Sequence, residues 1–201
     1  MNSFLYNHVP EGLVKIIYDD LSEKINKNYF YHNLIHTKRV IKYCIDIGKQ
    51  KNLNDKEWKI ILTACLFHDY GFIKTHENHE KIGANLCSET LNKYGYSDDD
   101  VNLIKSLILV TEPNTIPRNK LEYIIKDSDL EYFSSKDFPV ISEALKKEWL
   151  YFNVVKNEKD FYRKQYNFLN NHKFYFLFIN DKRKNYINEN IKIAYKRMMK
   201  L

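Results

Sequence analysis

The residues of this 201-residue chain that most clearly suggest chemistry are a histidine and an aspartate side by side, His68 and Asp69. They end an apolar, helix-like segment just before Gly71, where the chain is expected to turn and neighbouring side chains can reach into one cleft. Imidazole nitrogens and carboxylate oxygens are ligands that a divalent cation accepts. The pair alone indicates only a candidate site, because a single buried histidine is more commonly a hydrogen-bonded core residue.

Two other residues could complete a metal site with this pair. His36 stands at the start of an earlier amphipathic segment, and an antiparallel arrangement of the two helices would bring it near the end of the second. Asp129 interrupts an otherwise apolar helix face, where an ionised carboxylate needs a partner to offset its desolvation. Asp127 interrupts the same segment, and the helical projection favours Asp129 over it only slightly.

The segments that carry these residues are predicted to be helical. Five glycines and four prolines are too few for a β-rich chain with many tight turns. Apolar residues recur at helical spacing, and caps and glycines delimit the runs. The predicted helices are Leu13 to Leu21, Ile35 to Gly48, Asn54 or Asp55 to a left-handed Gly71, Glu80 to Lys93 closed by Gly95, Ser97 to Val110, Pro117 to Leu130, and several from Phe138 onward. The fold class predicted is therefore all-α.

The composition of the chain predicts its domain organisation and its cellular location. No linker-like stretch separates the last third, so residues 1–201 are expected to form one domain. The cysteines Cys44, Cys65 and Cys87 have no paired spacing and fall among apolar residues, which predicts buried free thiols. No apolar run approaches the roughly 20 residues that span a bilayer, and no leader pattern precedes the first helix. These features predict a cytoplasmic protein without a membrane partner.

In their order and spacing, these residues resemble the HD-domain superfamily of metal-dependent phosphohydrolases, whose pattern is a His, a His-Asp pair and a later Asp. The matching blocks are His36 followed by Val40, Leu66-Phe67-His68-Asp69-Tyr70-Gly71, and Lys126-Asp127-Ser128-Asp129-Leu130. The likeness to a bacterial-type subgroup adds Tyr31-His32-Asn33, His79-Glu80, Thr111 and Leu121-Glu122. The resemblance to the superfamily implies an HD-domain-like helical bundle, with a metal-site core at about residues 28–135 and additional C-terminal helices at about 136–201.

The resemblance further implies that His36, His68, Asp69 and Asp129 bind one divalent metal ion and leave positions open for water and a phosphate oxygen. Manganese, iron, cobalt, nickel, zinc and magnesium are all candidates. The competing interpretation, a structural metal site, is disfavoured because such sites usually contain cysteine. Asp69 would then belong to the catalytic site as well as to the ligand set. The resemblance also favours Asp129 over Asp127, which could instead orient a ligand histidine.

Further residues could contact the substrate. His79 could bind the substrate or a second metal, and Glu80 could act as a general acid or base, although both could simply start a helix with a capping carboxylate. The basic residues nearest to these motifs are Lys74, Arg118 and Lys126, of which Arg118 is the preferred substrate-binding candidate, although a solvated surface position is the simpler interpretation of each.

Two histidines outside the ligand set have simpler explanations. His32 lies one helical turn before His36 and could be a ligand, but packing beside Tyr31 is the favoured interpretation. His76 and His79 are three positions apart, whereas the metalloprotease motif places its histidines four apart, so that class is excluded.

The function predicted is hydrolysis of a phosphomonoester or phosphodiester bond of a small, nucleotide-like anion by metal-activated water. A formal net charge of +6 would assist capture of such a substrate. The alternative is a non-catalytic HD-fold regulatory or nucleic-acid-binding protein that uses the basic stretches Lys182-Arg183-Lys184 and Lys196-Arg197. The intact ligand set argues against it, so a nucleic-acid partner is less favoured. The sequence does not indicate an oligomeric state.

Overall fold

A computed structural model describes residues 2–176 and 181–200. The regular secondary structure of these residues consists of α-helices and 3-10 turns, with no β-strand. The helices are α1 Asn2–Tyr6, α2 Glu11–Glu23, α3 Leu34–Gln50, α4 Asp55–Phe67, α5 His79–Leu91, α6 Asp98–Leu109, α7 Lys120–Asp129, α8 Phe138–Tyr151, α9 Glu158–Asn171 and α10 Asp181–Met199. The all-α prediction is confirmed. None of the helices in the described ranges is long and apolar enough to cross a membrane.

The helices are divided between two compact units. The first comprises Met1–Asn26 and His32–Asp129 and holds α1 to α7, whereas the second comprises Lys27–Tyr31 and Leu130–Leu201 and holds α8 to α10. The first unit ends at Asp129, the last residue of α7. It contains every candidate ligand of the predicted metal site.

Side-chain caps set the starts of the helices that carry these ligands. The Asn33 side chain accepts hydrogen bonds from the backbone N–H groups of Ile35 and His36, which places His36 in the first turn of α3. Asn54, one of the two predicted caps, forms a capping box with Glu57 at the start of α4. At α7, the Asn119 side chain accepts from the N–H groups of the second and third helical residues. The register of each ligand is therefore set locally.

Helix α4 forms the centre of the first unit. It is apolar on nearly every side, with a continuous buried run from Ile60 to Phe67, as expected of a helix enclosed by others. It contacts α2, α3, α5, α6 and α7. The three cysteines Cys44, Cys65 and Cys87 are buried and free, which confirms that prediction. A buried central helix gives His68, at its end, a rigid support.

The end of α4 differs from the prediction. The helix stops at Phe67, and the next residues lead into a 3-10 turn, Tyr70–Ile73. Gly71 does not have the predicted left-handed conformation, which among the described glycines only Gly95 adopts, with φ of +71°. Gly71 is needed for space instead, because a Cβ there would overlap the carbonyl oxygen of His79 and approach the Gly83 nitrogen. The 3-10 turn and α5 therefore pack backbone against backbone.

In the second unit, one buried lysine connects two of the helices. Lys146 on α8 donates a hydrogen bond to the Tyr162 hydroxyl on α9 at 3.1 Å, and pairs with Glu143 at 2.8 Å and Glu158 at 3.0 Å. Tyr31, from the short N-terminal segment of this unit, donates its backbone N–H to the buried Glu148 of α8 at 2.8 Å. Polar contacts as well as apolar packing thus hold the unit together.

Candidate metal centre

Four side-chain atoms that carry lone pairs converge where α3, α4 and α7 meet. His36 Nε2 lies 3.3 Å from His68 Nε2 and 3.3 Å from Asp69 Oδ2. Asp129 Oδ1 lies 3.0 Å from His36 Nε2 and 3.5 Å from His68 Nε2. His68 Nε2 and Asp69 Oδ2 are 3.2 Å apart. The structure thus brings together all four residues that the sequence nominated as ligands.

The orientation of His68 is set by the helix that precedes it. Its Nδ1 lies 2.8 Å from the carbonyl oxygen of Cys65, one turn earlier. Because a carbonyl only accepts, Nδ1 carries a proton and donates it, so Nε2 is the atom that a metal would take when the ring is neutral. Histidines that bind metals are commonly held in this way by a backbone carbonyl.

Burial and charge act against each other in this cluster. The rings of His36 and His68 are fully buried, whereas the Asp129 side chain is 23% exposed. Burial tends to raise the pKa of Asp69, but the charge of His68 outweighs it and holds the pKa below its usual range. Burial likewise opposes ionisation of Asp129, and hydrogen bonds from His36 and His68 lower its pKa overall. Both carboxylates are therefore ionised.

The arrangement fits a divalent metal. Nitrogen and oxygen ligands at about 2.0–2.2 Å from one ion are separated from their neighbours by roughly 2.8–3.6 Å at tetrahedral or octahedral angles. The five separations given above lie in this range. Within the described chain, the buried Asp69 Oδ2 has no hydrogen-bond donor, although two imidazole nitrogens lie within 3.3 Å of it. His36, His68 and Asp69 form a group with mutually close ligand atoms. A cation would satisfy the oxygen that the protein leaves unpaired.

The two aspartates of α7 have different surroundings. Asp129, at the last position of the helix, contacts both imidazoles. Asp127 is fully buried about half a turn earlier. The nearly even choice left by the helical projection is thus resolved geometrically in favour of Asp129 as the contact to the histidines.

His79 and Glu80 extend the site beyond the four converging atoms. His79 is the first residue of α5, and its Nε2 lies 3.7 Å from Asp69 Oδ1 and 3.4 Å from Glu80 Oε1. Its ring stacks on Phe72 at 3.8 Å, and Phe72 also stacks with His32 at 4.7 Å. Burial and, less strongly, the charge of Asp69 raise the pKa of Glu80. Both residues reach the surroundings of Asp69, while their roles stay a prediction.

The basic candidates occupy different positions. Arg118 and Lys74 are exposed, and the backbone N–H of Arg118 donates to Glu122. Lys126 is neither a surface residue nor available to a phosphate, so both interpretations offered for it are wrong. It is buried, and its ammonium donates to the carbonyl oxygens of Val110, Glu112 and Thr115 at 2.9, 2.8 and 2.7 Å. Lys126 therefore fastens the loop after α6 to α7.

Replacing Lys126 by methionine is expected to lower the free energy of unfolding by about 2–4 kcal/mol, because three carbonyl groups lose a charged donor. Urea denaturation followed by circular dichroism measures the change. Lys81→Met, which removes a lysine from an exposed position on α5, is the control and should change stability by no more than about 0.5 kcal/mol. Equal stability of the two variants would show that the lysine does not fasten the loop.

Two features of the site were not predicted from the sequence. The contact between His68 and the Cys65 carbonyl could have been anticipated, since a side chain at a helix end can reach the carbonyl three residues earlier. Phe72 gave no usable signal, because the chain contains 16 tyrosines and 12 phenylalanines and nothing local distinguishes this one. Its importance comes from the imidazoles packed on it.

The segment that contains this cluster resembles known proteins. Residues 33–131, which include all four converging residues, match the family model described as HD domain. No curated protein matches the chain. A crystal structure of a Lactobacillus plantarum protein matches with a TM-score of 0.63 and 15% sequence identity, covering 94% of this chain and 95% of that one. At this identity the likeness concerns the fold alone.

Proposed function

Since the chain belongs to the HD-domain superfamily through residues 33–131, we propose that it is a metal-dependent phosphohydrolase acting on a phosphomonoester or phosphodiester of a small, nucleotide-like anion. The observation that carries the proposal is the convergence of two imidazole nitrogens and two carboxylate oxygens at 3.0–3.5 Å. His36, His68, Asp69 and Asp129 would hold the ion. Imidazole together with carboxylate suits manganese, iron, cobalt, nickel or zinc better than magnesium, which prefers oxygen ligands.

A bound divalent cation would lower the pKa of a coordinated water and stabilise negative charge on a phosphate oxygen. The protein supplies the orientation. His36 and His68 are fully buried and enclose one side of the cluster, whereas Asp129 is partly exposed and marks the side open to solvent. The Cys65 carbonyl keeps the His68 ring turned toward the cluster. The substrate would therefore enter from the side of Asp129.

Glu80 is the residue best suited to move a proton during the reaction. Its carboxyl group is largely buried, and burial together with the charge of Asp69 raises its pKa, which favours the protonated form. Oε1 lies 3.4 Å from His79 Nε2, which in turn lies 3.7 Å from Asp69. A protonated Glu80 could give its proton to the oxygen of the leaving group, and His79 would hold the carboxyl group in place.

The direct test combines metal content with turnover. Protein loaded with manganese should retain bound metal in mass spectrometry after desalting, and it should hydrolyse p-nitrophenyl phosphate or its bis-ester. A panel of nucleoside monophosphates, triphosphates and cyclic nucleotides then identifies the substrate class. Retained metal without turnover of any of these esters would refute the proposed activity while leaving the metal site intact. The absence of both bound metal and turnover would favour the non-catalytic alternative.

The pair of aspartates in α7 provides a matched comparison. Asp129→Asn is expected to weaken manganese binding more than Asp127→Asn does, because only Asp129 contacts both imidazoles. Calorimetric titration of metal-free protein measures both affinities. Loss of binding in the Asp127 variant with normal binding in the Asp129 variant would overturn the assignment.

A further inference from the structure

A groove of about 320 Å³ lies between α9 and α10 in the second unit. Tyr166 lines it from α9, and Ile191, Lys192, Tyr195 and Lys196 line it from α10. The two tyrosine rings are in contact, with centroids 5.4 Å apart, and 46% of Tyr195 is exposed. The groove thus offers an accessible aromatic ring beside the side chains of two lysines.

The charge of α10 favours an anionic occupant. Lys192 and Lys196 are exposed and four residues apart, so they project from the same face about 6 Å apart along the axis. The helix sequence carries six basic residues against two acidic ones. Arg197 is already engaged, since it pairs with Glu143 and donates to Ser142. The two lysines of the groove are therefore the cations placed to meet a ligand there.

A membrane surface does not suit this face of α10. Helices that lie in a bilayer interface insert an apolar face. In α10 the apolar residues Ile187 and Ala194 are buried, and the helix packs on α9 and on the 3-10 turn Glu131–Ser134. Asn190 reinforces this packing by donating to the carbonyl oxygens of Phe133 and Ser135. On the side of the groove, the helix leaves accessible the Tyr195 ring and the two lysines, whereas the exposed apolar residue Met199 is the last residue of the helix.

Exposed aromatic rings that stack on bases, next to basic side chains that contact phosphates, are the recurring composition of sites for single-stranded nucleic acid. We propose that the groove between α9 and α10 binds single-stranded nucleic acid, with a base stacked on Tyr195 and the backbone phosphates held by Lys192 and Lys196. This binding is separate from the proposed phosphohydrolase activity and does not depend on it.

The test is fluorescence anisotropy of the full chain with a fluorescein-labelled oligothymidylate of about 12 nucleotides, a length within the known range of such sites. Tyr195→Ala should weaken binding about tenfold, whereas Tyr195→Phe, which keeps the ring, should bind like the native protein. The double variant Lys192→Gln, Lys196→Gln should reduce the slope of log affinity against log salt by about 1.4, because two phosphate contacts are lost.

The matched control is the double variant Lys182→Gln, Lys184→Gln, which removes the same charge from exposed positions at the start of α10, outside the groove. It should weaken binding less than the groove variant does. The proposal is overturned if the two double variants weaken binding equally, if Tyr195→Ala binds normally, or if thymidine monophosphate competes as well as the oligonucleotide. Binding to phosphatidylserine vesicles without binding to the oligonucleotide would also overturn it, in favour of a lipid surface.

Discussion

Asp69→Asn is expected to lose manganese binding and phosphate-ester hydrolysis together, with its helical content unchanged. Asparagine preserves the shape of the side chain but removes one of the two negative charges beside His36 and His68. The carboxylate oxygen Oδ2 makes no hydrogen bond in the described chain. The substitution replaces the carboxylate by a neutral amide, which is a weaker metal ligand. Changes to residues that only support metal ligands cost 10–100-fold in affinity or activity, so losing a ligand should cost more than about 100-fold.

Calorimetric titration with manganese and hydrolysis of p-nitrophenyl phosphate measure the two losses, and circular dichroism verifies the fold. Asp19→Asn is the matched control, because it removes the same charge from an exposed position on α2. It should bind metal and turn over substrate like the native protein. Near-normal turnover by the Asp69 variant would refute the proposed mechanism.

Gly71→Ala should produce the second large effect, a loss of stability accompanied by loss of the site. The added methyl group would overlap the carbonyl oxygen of His79 and lie 2.8 Å from the Gly83 nitrogen, and neither backbone atom can turn aside as a side chain could. Helix α5 must therefore move away from the 3-10 turn that follows Asp69. Overpacking of this kind costs about 1–3 kcal/mol or more. Manganese affinity should fall as well, since strain in the 3-10 turn reaches Asp69, the residue directly before it.

Two other glycines provide graded controls for this effect. At Gly83 an added Cβ would lie 3.1 Å from the Phe67 carbonyl oxygen, so Gly83→Ala should be tolerated better than Gly71→Ala. At Gly12 the nearest atom is 3.6 Å away on a side chain, and alanine in this helix should preserve or increase stability. In urea denaturation, the free energy of unfolding should be lowest for Gly71→Ala, intermediate for Gly83→Ala and highest for Gly12→Ala. A Gly71 variant as stable as the Gly12 variant would show that the close backbone approach is not needed.

The fold class could be predicted from the sequence because the signals for helices are local. Apolar spacing identified α2 to α7, the capping residues Asn54 and Ser97 marked two helix starts, and Gly95 marked the end of the α5 segment. Local signals were weaker at helix ends. The 3-10 turn after α4 was missed, because Gly71 resembled a left-handed terminator although its lack of a side chain serves packing against α5.

By itself the sequence determined the kinds of candidate ligand and the segments that carry them, since histidine and aspartate have the same coordination chemistry at any place in a fold. Only the tertiary structure decided which groups meet. Asp129 rather than Asp127 contacts the imidazoles, because the packing of α7 against α3 and α4 selects one side of the helix. Lys126 is buried rather than exposed at the surface, because its ammonium group donates hydrogen bonds to three carbonyl oxygens of the loop after α6. A sequence states what a side chain can bind, whereas its partner depends on neighbours that are distant along the chain.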